Sequence, residues 1–153
     1  MDMLSLKSPV GELTLFAEAG NITALSWGRG AEAPRQSKNP ILRLAQDLLV
    51  VYFETGQDQF NRLSFDPHGT AFQKRVWQQM CIIKAGNTKS YGDIAKILGS
   101  GPRAVGGACG ANPIPILIPC HRIINTDGAQ GHYSGGDGPY TKKVLLELEQ
   151  GSV

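Results

Sequence analysis

Cys120, His121 and Arg122 stand together at the end of an apolar run that closes with Pro119. A free thiol has a pKa of ~8.5, so it reacts as a nucleophile at neutral pH only when a His, an Arg or a helix terminus stabilises the thiolate. Two such residues follow Cys120 directly. We therefore interpret Cys120 as the strongest candidate nucleophile of the chain, fixed in place by the apolar packing that precedes it.

Each residue of this triplet also has a structural interpretation. Cys120 fits a buried core cysteine, His121 a structural histidine and Arg122 the partner of a carboxylate. Cys81 and Cys109 lie in helical patterns that indicate packing roles for both. Because adjacent side chains of an extended strand point to opposite faces, His121 reaches the Cys120 sulfur only if the chain bends or a water molecule relays between them.

The composition is that of a globular protein. Of 153 residues, 41% are hydrophobic and 18% are charged, which excludes a disordered tail, a collagen and a coiled coil. No apolar run approaches the ~20 residues that cross a bilayer, and no secretory signal opens the chain, so no membrane association is predicted. Three cysteines without a CxxC pair argue against disulfides and a metal site, and they favour a reducing cytoplasm.

The charge is distributed unevenly between the two halves. Residues 1–67 carry six Lys and Arg against eight Asp and Glu, whereas residues 68–153 carry nine against five. A basic second half is compatible with a polyanionic partner such as a nucleic acid. The alternative is a solvated surface that is mildly basic.

Hydrophobic periodicity separates the chain into a β-rich and a helical part. Alternation within residues 3–27 predicts three meandering strands, and residues 63–65 predict one more short strand. Asn39 and Pro40 mark the start of a helix that ends at Gly56. A turn at residues 66–69 marks the boundary between two subdomains.

The second part predicts a series of helices. An apolar stripe follows Thr70, and a capping box at Ser90 starts a short helix that ends at Gly99. Pro102 then starts a second helix, so that the pair has the pattern of a helix-turn-helix. The last amphipathic helix covers residues 142–149.

Three glycines inside the second of these helices need a physical reason. Each interior glycine costs about 1 kcal/mol relative to Ala. One explanation is close packing against a neighbouring helix, and the other is close approach of a bulky ligand such as a nucleic-acid backbone. The glycines are Gly106, Gly107 and Gly110.

The motifs of the second half resemble the signature of the O6-alkylguanine-DNA alkyltransferases, also called methylated-DNA–protein-cysteine methyltransferases. The resemblance covers roughly residues 70–150, and its most specific element is the Pro-Cys-His-Arg sequence at 119–122. The segments that carry it are 72–77, 90–92, 103–108, 112–113, 116–124 and 131–136, followed by Leu145, Leu146 and Glu149.

The resemblance implies an α+β fold with two subdomains. Residues 1–67 would form a ribonuclease-H-like α/β structural subdomain with a small antiparallel sheet. Residues 68–153 would form a mostly helical, winged-helix-like subdomain that contains the helix-turn-helix, binds DNA and accepts the alkyl group.

The function that the resemblance implies is DNA repair by direct, irreversible transfer of an alkyl group to Cys120. The group comes from O6-alkylguanine, or from O4-alkylthymine, after the base has been flipped out of duplex DNA. Such a protein is a single-turnover methyltransferase that uses no cofactor and no metal. It would act as a monomer in the cytoplasm, associated with the nucleoid in a bacterium.

The resemblance also assigns roles to residues at the reacting centre. Cys120 would accept the alkyl group, and His121 would remove the thiol proton through a water molecule. Glu149 would orient His121, Asn112 would hold the active-site turn, and Tyr91 would donate a proton or hydrogen bond to the departing guanine.

Further residues would contact the nucleic acid. Arg103 would fill the space that the flipped base leaves, with its helix in the minor groove. The other contacts of that helix would involve Ala104, Gly106, Gly107 and Gly110. The flipped base would be bound by Tyr91, Ile123, Tyr133 and Ser134.

Two spans of the chain differ in length from the family pattern. The span from Tyr91 to Arg103 is about two residues shorter, and that from Gly136 to Leu145 is about two residues longer, which leaves the size of the alkyl pocket open.

Three other functions remain as alternatives. An alkyltransferase-like damage sensor lacks the acceptor cysteine, which is present here. A cysteine hydrolase requires a distant His and an oxyanion hole. A helix-turn-helix transcription factor leaves residues 119–122 without a role.

Overall fold

A computed structural model describes residues 1–151 as an α+β fold. The described chain contains a three-stranded sheet, five α-helices and a separate pair of very short strands. The elements are β1 (Asp2–Ser8), β2 (Gly11–Glu18), β3 (Asn21–Trp27), α1 (Pro40–Thr55), α2 (Ala71–Ile82), β4 (Lys89–Ser90), α3 (Tyr91–Leu98), α4 (Pro102–Gly110), β5 (Ile123–Ile124) and α5 (Pro139–Glu149).

The predicted meander is confirmed. Strand β2 pairs antiparallel with both β1 and β3, and Leu15 stands opposite Leu4 on one side and Leu25 on the other. These three leucines are buried and contribute to the cluster that also contains the buried side of α1. The leucines alternate along β1 and β2 and give the sheet one apolar face toward the core, while Ser5 and Thr14 between them are buried as well.

Helix α1 has the predicted ends. The Asn39 side chain accepts a hydrogen bond from the Ile41 amide, Pro40 occupies the first turn, and Gly56 ends the helix at φ 76°. A Cβ atom at Gly56 would lie 2.6 Å from the Leu148 carbonyl oxygen. Glycine therefore allows the end of α1 to approach the end of α5 closely.

The predicted strand at 63–65 is wrong, because only one isolated bridge forms there. Ile22 pairs with Phe65 through hydrogen bonds from the Ile22 amide to the Ser64 carbonyl and from the Asp66 amide to the Ile22 carbonyl, each 2.9 Å. Pro67 follows immediately and has no amide hydrogen, so the ladder does not continue.

The helical half begins with two capping boxes. Thr70 caps α2 together with Gln73, and Ser90 caps α3 together with Asp93. Gly99 ends α3 at φ 64°, and α4 follows after a short turn. The helix-turn-helix is thereby confirmed as a local arrangement of α3 and α4.

The last helix starts earlier than predicted. Helix α5 begins at Pro139 rather than at residue 142, with Gly138 before it at φ 67°. Proline at the first position of a helix loses no intrahelical hydrogen bond, so Pro139 starts the helix instead of delaying it.

One cluster of buried side chains extends from the sheet to α5 across both halves of the chain. Polar contacts add to this packing, such as the 2.9 Å hydrogen bond from Trp77 Nε1 of α2 to the Ala108 carbonyl of α4. Among residues 1–151, no helix combines the length and apolar character that crossing a bilayer requires. The division at residues 67 and 68 stays a prediction.

Candidate active site

Cys120, His121 and Arg122 form a single 3-10 turn between the apolar run and β5. All three residues are buried, with 8%, 0% and 1% of their surfaces exposed. Because the chain bends here, the side chains of Cys120 and His121 are not held on opposite faces as they would be in an extended strand. His121 and Arg122 are then free to face a common partner on α5.

The loop before the turn is held by Asn112. Its side-chain Nδ2 donates to the Ile118 carbonyl and its Oδ1 accepts from the Ile114 amide, each at 2.9 Å. Between these contacts, the buried Ile116 has a left-handed backbone at φ 70°. Such a conformation is strained for a β-branched residue and persists only where its surroundings determine it.

Glu149, the last residue of α5, is the common partner. Its Oε2 lies 2.6 Å from His121 Nε2, and its two oxygens accept hydrogen bonds of 2.9 Å from Nη2 and Nε of Arg122. The Tyr52 hydroxyl of α1 also donates to Oε2, at 2.6 Å. The Glu149 side chain is 1% exposed, so these donors replace its water.

The electrostatics of this cluster separate the charged from the neutral groups. Burial alone would raise the pKa of Glu149, but the hydrogen bonds and charges of His121 and Arg122 lower it to about 2. Burial lowers the pKa of His121 below its ordinary value, although Glu149 acts in the opposite direction. The resting pair is a carboxylate, paired with the permanent charge of Arg122, beside a neutral imidazole.

The tautomer of His121 follows from its partner. A carboxylate only accepts hydrogen bonds, so Nε2 carries the proton and Nδ1 is the acceptor nitrogen. In the described part of the chain, Nδ1 has no hydrogen-bond partner. His121 therefore presents a free basic nitrogen while its other nitrogen is fixed by Glu149.

Two cavities border the Cys120 side chain. The smaller, of about 50 Å³, is lined by Tyr91, Gly106, Cys109, Gly110, Cys120, His132, Tyr133 and Ser134. The larger, of about 200 Å³, is lined by Trp27, Cys109, Gly110, Asn112, Pro115, Cys120, Tyr133, Ser134 and Gly135.

Burial raises the pKa of the Cys120 thiol, while Asn112 and the Lys142 ammonium act in the opposite direction. Burial, with a contribution from the two nearby thiols, raises the pKa of Tyr91 to about 12. Tyr91 therefore keeps its proton and is a hydrogen-bond donor at neutral pH. The resting thiol is protonated, so it needs a base to become a nucleophile.

Helix α4 presents an open face at the entrance to the smaller cavity. Arg103, Ala104, Gly107 and Gly110 are exposed. A Cβ added at Gly107 or Gly110 would meet no atom of the described chain within 4 Å, and one at Gly106 would only touch the Tyr91 ring at 4.0 Å. Close helix packing therefore does not explain these glycines, and space for a ligand does.

An open groove of about 730 Å³ runs beside this helix, and Tyr91, Gly106 and His132 line both the groove and the smaller cavity. Helix α4 begins at Pro102, and Gly101 before it provides no side-chain cap. The remaining lining residues of the groove are Pro102, Arg103, Asn125, Thr126 and Asp127.

Residues 71–151 match the family described as 6-O-methylguanine DNA methyltransferase, DNA binding domain. The methylated-DNA–protein-cysteine methyltransferase of Haemophilus influenzae is 35% identical over 94% of this chain and 83% of its own length. That of Mycobacterium tuberculosis is 38% identical over 95% and 90%. This chain belongs to the methylated-DNA–protein-cysteine methyltransferase family.

Solved structures of the family share the fold. Mycobacterium tuberculosis OGT in complex with DNA superposes with a TM-score of 0.86 at 37% identity, covering 100% of this chain and 95% of that one. The O6-methylguanine-DNA methyltransferase of Pyrococcus kodakaraensis gives a TM-score of 0.60 at 27% identity, covering 96% and 98%. The alkyltransferase architecture therefore extends over both halves of the described chain.

The structure brings most of the predicted site residues together, with one exception. Ile123 is buried and lines neither cavity beside Cys120. Its carbonyl accepts a hydrogen bond from Lys142 Nζ at 2.6 Å, and its amide donates to the Cys120 carbonyl. Both backbone groups of Ile123 are thus already paired within the protein.

The structure contradicts the packing role predicted for Cys81 but not the one predicted for Cys109, which packs against the core cluster. Cys81 is exposed at the end of α2, so that prediction is wrong. Cys109 is partly exposed and lines both cavities beside Cys120. The helical pattern gave the correct helices but not the side of α2 that solvent reaches.

Sequence reasoning missed four residues of the site. Tyr52, Asp58 and Trp27 lie outside the segment that matches the methyltransferase family, and no motif marks them. Lys142 is fully buried, with Nζ bonded to the Ile123 and His132 carbonyls, whereas its neighbour in sequence is exposed. Its position three residues before Leu145, on the buried side of α5, is the one sequence signal that distinguishes it.

Proposed function

We propose that this chain repairs DNA by transferring an alkyl group from O6 of guanine, or from O4 of thymine, to the sulfur of Cys120. The observation that carries the proposal is the continuity of the site. The cavity beside Cys120 shares Tyr91, Gly106 and His132 with the groove along α4. A base that leaves a duplex lying in that groove has a short path to the buried thiol.

Activation of the thiol uses the His121–Glu149 pair. The free Nδ1 of His121 accepts the Cys120 proton through a water molecule, and the Glu149 carboxylate stabilises the imidazolium that results. The paired carboxylate is ionised at neutral pH because its pKa is about 2. The thiolate therefore forms only when the geometry of the turn is intact.

The transfer step is a displacement at a saturated carbon. The Cys120 sulfur forms a bond to the alkyl carbon while the bond from that carbon to O6 breaks, and the electron pair stays with the guanine. Tyr91, whose pKa is about 12, keeps its proton at neutral pH and donates a hydrogen bond to the departing base. The thioether that forms is not hydrolysed, so each chain reacts once.

Access to the base follows from the face of α4. The small residues of this face let the helix lie against a sugar-phosphate wall in the minor groove, and Arg103 occupies the space of the extruded base. Extrusion costs a few kcal/mol, which these contacts offset. Lys and Arg residues of the basic half contact phosphates, so binding weakens with added salt.

The scope of the proposal includes the setting of the reaction. The acceptor must be a free thiol, which favours the reducing cytoplasm, with the nucleoid as its site in a bacterium. One chain supplies every group of the site, which supports action as a monomer. Residues 1–67, with ribonuclease-H-like topology, support the winged-helix-like half at 68–153.

The test is incubation with a duplex that contains O6-methylguanine, followed by peptide mass spectrometry. We expect one methyl group per chain, on Cys120. Cys120→Ala should bind the duplex and accept nothing, whereas Cys81→Ala, which changes an exposed thiol, should react like the unchanged protein. Demethylated product in excess over protein would indicate a hydrolase, and lesion binding without an adduct would indicate a damage sensor; either result refutes transfer.

A further inference from the structure

Two residues of the first half, outside the matched family segment, contact the side chains of Glu149 and Arg122 beside His121. The Tyr52 hydroxyl donates to Glu149 Oε2 at 2.6 Å, the same oxygen that lies 2.6 Å from His121 Nε2. Asp58 Oδ2 lies 2.8 Å from Nη1 of Arg122. One neutral donor thus acts on Glu149, the partner of His121, and one negative charge acts on Arg122, which is paired with the same carboxylate.

The structure fixes both groups in place. Tyr52 is fully buried, and its ring packs against Phe53 and Phe60 at centroid distances of 5.2 Å. The close approach of Gly56 to Leu148 brings this end of α1 against the end of α5. Arg122 is held from a further side, because its Nη1 donates to the Ile83 carbonyl at 2.7 Å.

We propose that Tyr52 and Asp58 are positioning residues of the transfer reaction, which act through Glu149 and Arg122 to set how readily His121 accepts the Cys120 proton. The inference deepens the proposed function and rests on it for the reaction. It also assigns the first half of the chain a chemical contribution in addition to structural support.

The effect of Tyr52 has a definite sign. Its hydroxyl neutralises part of the negative charge on Oε2 of Glu149. Tyr52→Phe removes the hydroxyl and keeps the ring, so the carboxylate interacts more strongly with an imidazolium. His121 then becomes a stronger base.

The effect of Asp58 has the opposite sign. Its carboxylate balances part of the Arg122 charge and favours a positive charge on the nearby imidazole. Asp58→Asn leaves Arg122 more fully directed at Glu149 and removes one negative charge from the cluster. His121 then becomes a weaker base.

The remaining groups around the pair are the same in both variants. The charge of Lys142 disfavours a positive charge on His121, and the charge of Glu149 acts on Tyr133. The charges of Asp58 and Arg122 act on Cys81, at the end of α2. The titratable and charged groups that face the pair are therefore Tyr52, Asp58, Cys81, Cys120, Arg122, Tyr133 and Lys142.

The experiment measures the basicity of His121 in the absence of DNA. Iodoacetamide labels Cys120, the rate is followed against pH by peptide mass spectrometry, and the His121 ring is titrated by NMR. At about pH 8, above the ordinary pKa of histidine, we expect labelling to be about threefold faster in Tyr52→Phe and about threefold slower in Asp58→Asn, which corresponds to about half a pKa unit each way. The His121 midpoint should rise in the first variant and fall in the second.

Two variants of exposed residues serve as matched controls. Tyr140→Phe removes a hydroxyl from an exposed tyrosine of α5, and Asp47→Asn removes a charge from an exposed position of α1. Neither should change the labelling rate or the His121 midpoint. Thermal unfolding of all four variants reports separately on the stability of the fold.

Opposite shifts in the two variants support the inference. Unchanged midpoints, or shifts in the same direction, overturn it, even if both variants lose stability, because a purely structural role lowers stability without moving the base in opposite directions. If methylated DNA leaves Cys120 unmodified while the opposite shifts are observed, the proposed transfer fails and the control of His121 stands.

Discussion

Asn112 fixes the loop of the nucleophile at the scale of a single residue. One amide group bonds to the chain on both sides of Ile116, whose left-handed backbone is strained. The apolar side chains of the loop fill the core, and the two hydrogen bonds of the Asn112 amide fix the path of the backbone before the turn that carries Cys120.

Substitution of Asn112 by Ala should therefore reduce alkyl transfer more than it reduces folding. Loss of two hydrogen bonds to partly buried groups costs about 1–3 kcal/mol of stability. We expect a fall of at least tenfold in the rate of methyl transfer to Cys120, measured with methylated duplex under single-turnover conditions. Asn87→Ala, at an exposed loop position, is the control. An unchanged transfer rate in Asn112→Ala would remove its role in holding the turn.

Single residues were predictable where chemistry and position coincide in sequence. Cys120 and His121 stand out because a nucleophile and a base follow an apolar run, and the resemblance added Glu149. Tyr52 and Lys142 carry no such signal. A tyrosine on the buried side of a helix and a lysine near another lysine become part of the site only through contacts between distant elements.

Helix α4 shows how a whole element is shaped for its partner. Apart from Arg103, its exposed face carries very small side chains, and Gly107 and Gly110 weaken the helix although a Cβ at either would meet nothing within 4 Å in the described chain. A structure under selection for stability alone would place Ala at Gly107. The cost in helix propensity is explained by the duplex that we propose for this face.

Gly107→Ala should consequently make the protein more stable and bind DNA more weakly. Removal of an interior glycine in open space stabilises the helix by up to about 1 kcal/mol. The added methyl group then meets the sugar-phosphate wall. Urea unfolding and titration with an unmodified duplex at fixed salt measure the two effects. A more stable variant with unchanged affinity would show that α4 does not approach the duplex closely.

Arg103→Ala tests the same helix in the flipping step. Arg103 is exposed and lines the groove, and nothing else in the described groove lining has a comparable length and charge. We expect repair of duplex DNA to slow at least tenfold, while transfer from the free base O6-benzylguanine stays within about twofold, because a free base needs no extrusion. Equal losses on both substrates would assign Arg103 to the chemical step instead.

Elements were predictable where their ends are signalled locally. Asn39, Ser90, Gly56 and Gly99 cap helices by contacts within a few residues, so the sequence was sufficient. The segment 63–65 depended on a distant partner, and its pairing stopped at a proline. The start of α5 was missed because a Gly-Pro pair is a signal for a turn or loop, while proline is also favoured at the first position of a helix.

At the scale of the whole molecule, Glu149 joins three parts of the fold. It is the last residue of α5, and it accepts hydrogen bonds from Tyr52 of α1 and from His121 and Arg122 of the 3-10 turn. The two halves of the chain are thereby connected by a polar cluster as well as by the shared core. This connection was beyond sequence reasoning, since it depends on how α1 and α5 pack.

The cluster should make stability depend on acid in a specific range. The pKa of Glu149 is about 2 in the fold against 4.5 ordinarily, so its contribution is present above about pH 4.5 and is lost as the pH falls through 2. Between about pH 5 and pH 2, the free energy of unfolding should fall by about 3 kcal/mol more in the unchanged protein than in Glu149→Gln. Chemical unfolding at each pH measures it.

Glu147→Gln is the control for this measurement. Glu147 forms only a surface pair with Lys143, at 3.9 Å, and such pairs contribute little to stability. Its acid profile should follow that of the unchanged protein. Parallel profiles for Glu149→Gln and the unchanged protein would show that the buried cluster does not stabilise the fold.

The first turn of α4 is anchored less firmly than those of α1, α2 and α3. A side chain caps a free amide at the start of each of those three helices, whereas Gly101, the residue before α4, has no side chain to do so. We expect the amide hydrogens of this turn to exchange with solvent faster than those of the capped starts. We expect a phosphate oxygen of bound DNA to accept hydrogen bonds from these free amides at the positive end of the helix. Recognition and local folding would then coincide there, with the substrate completing the helix that reads it.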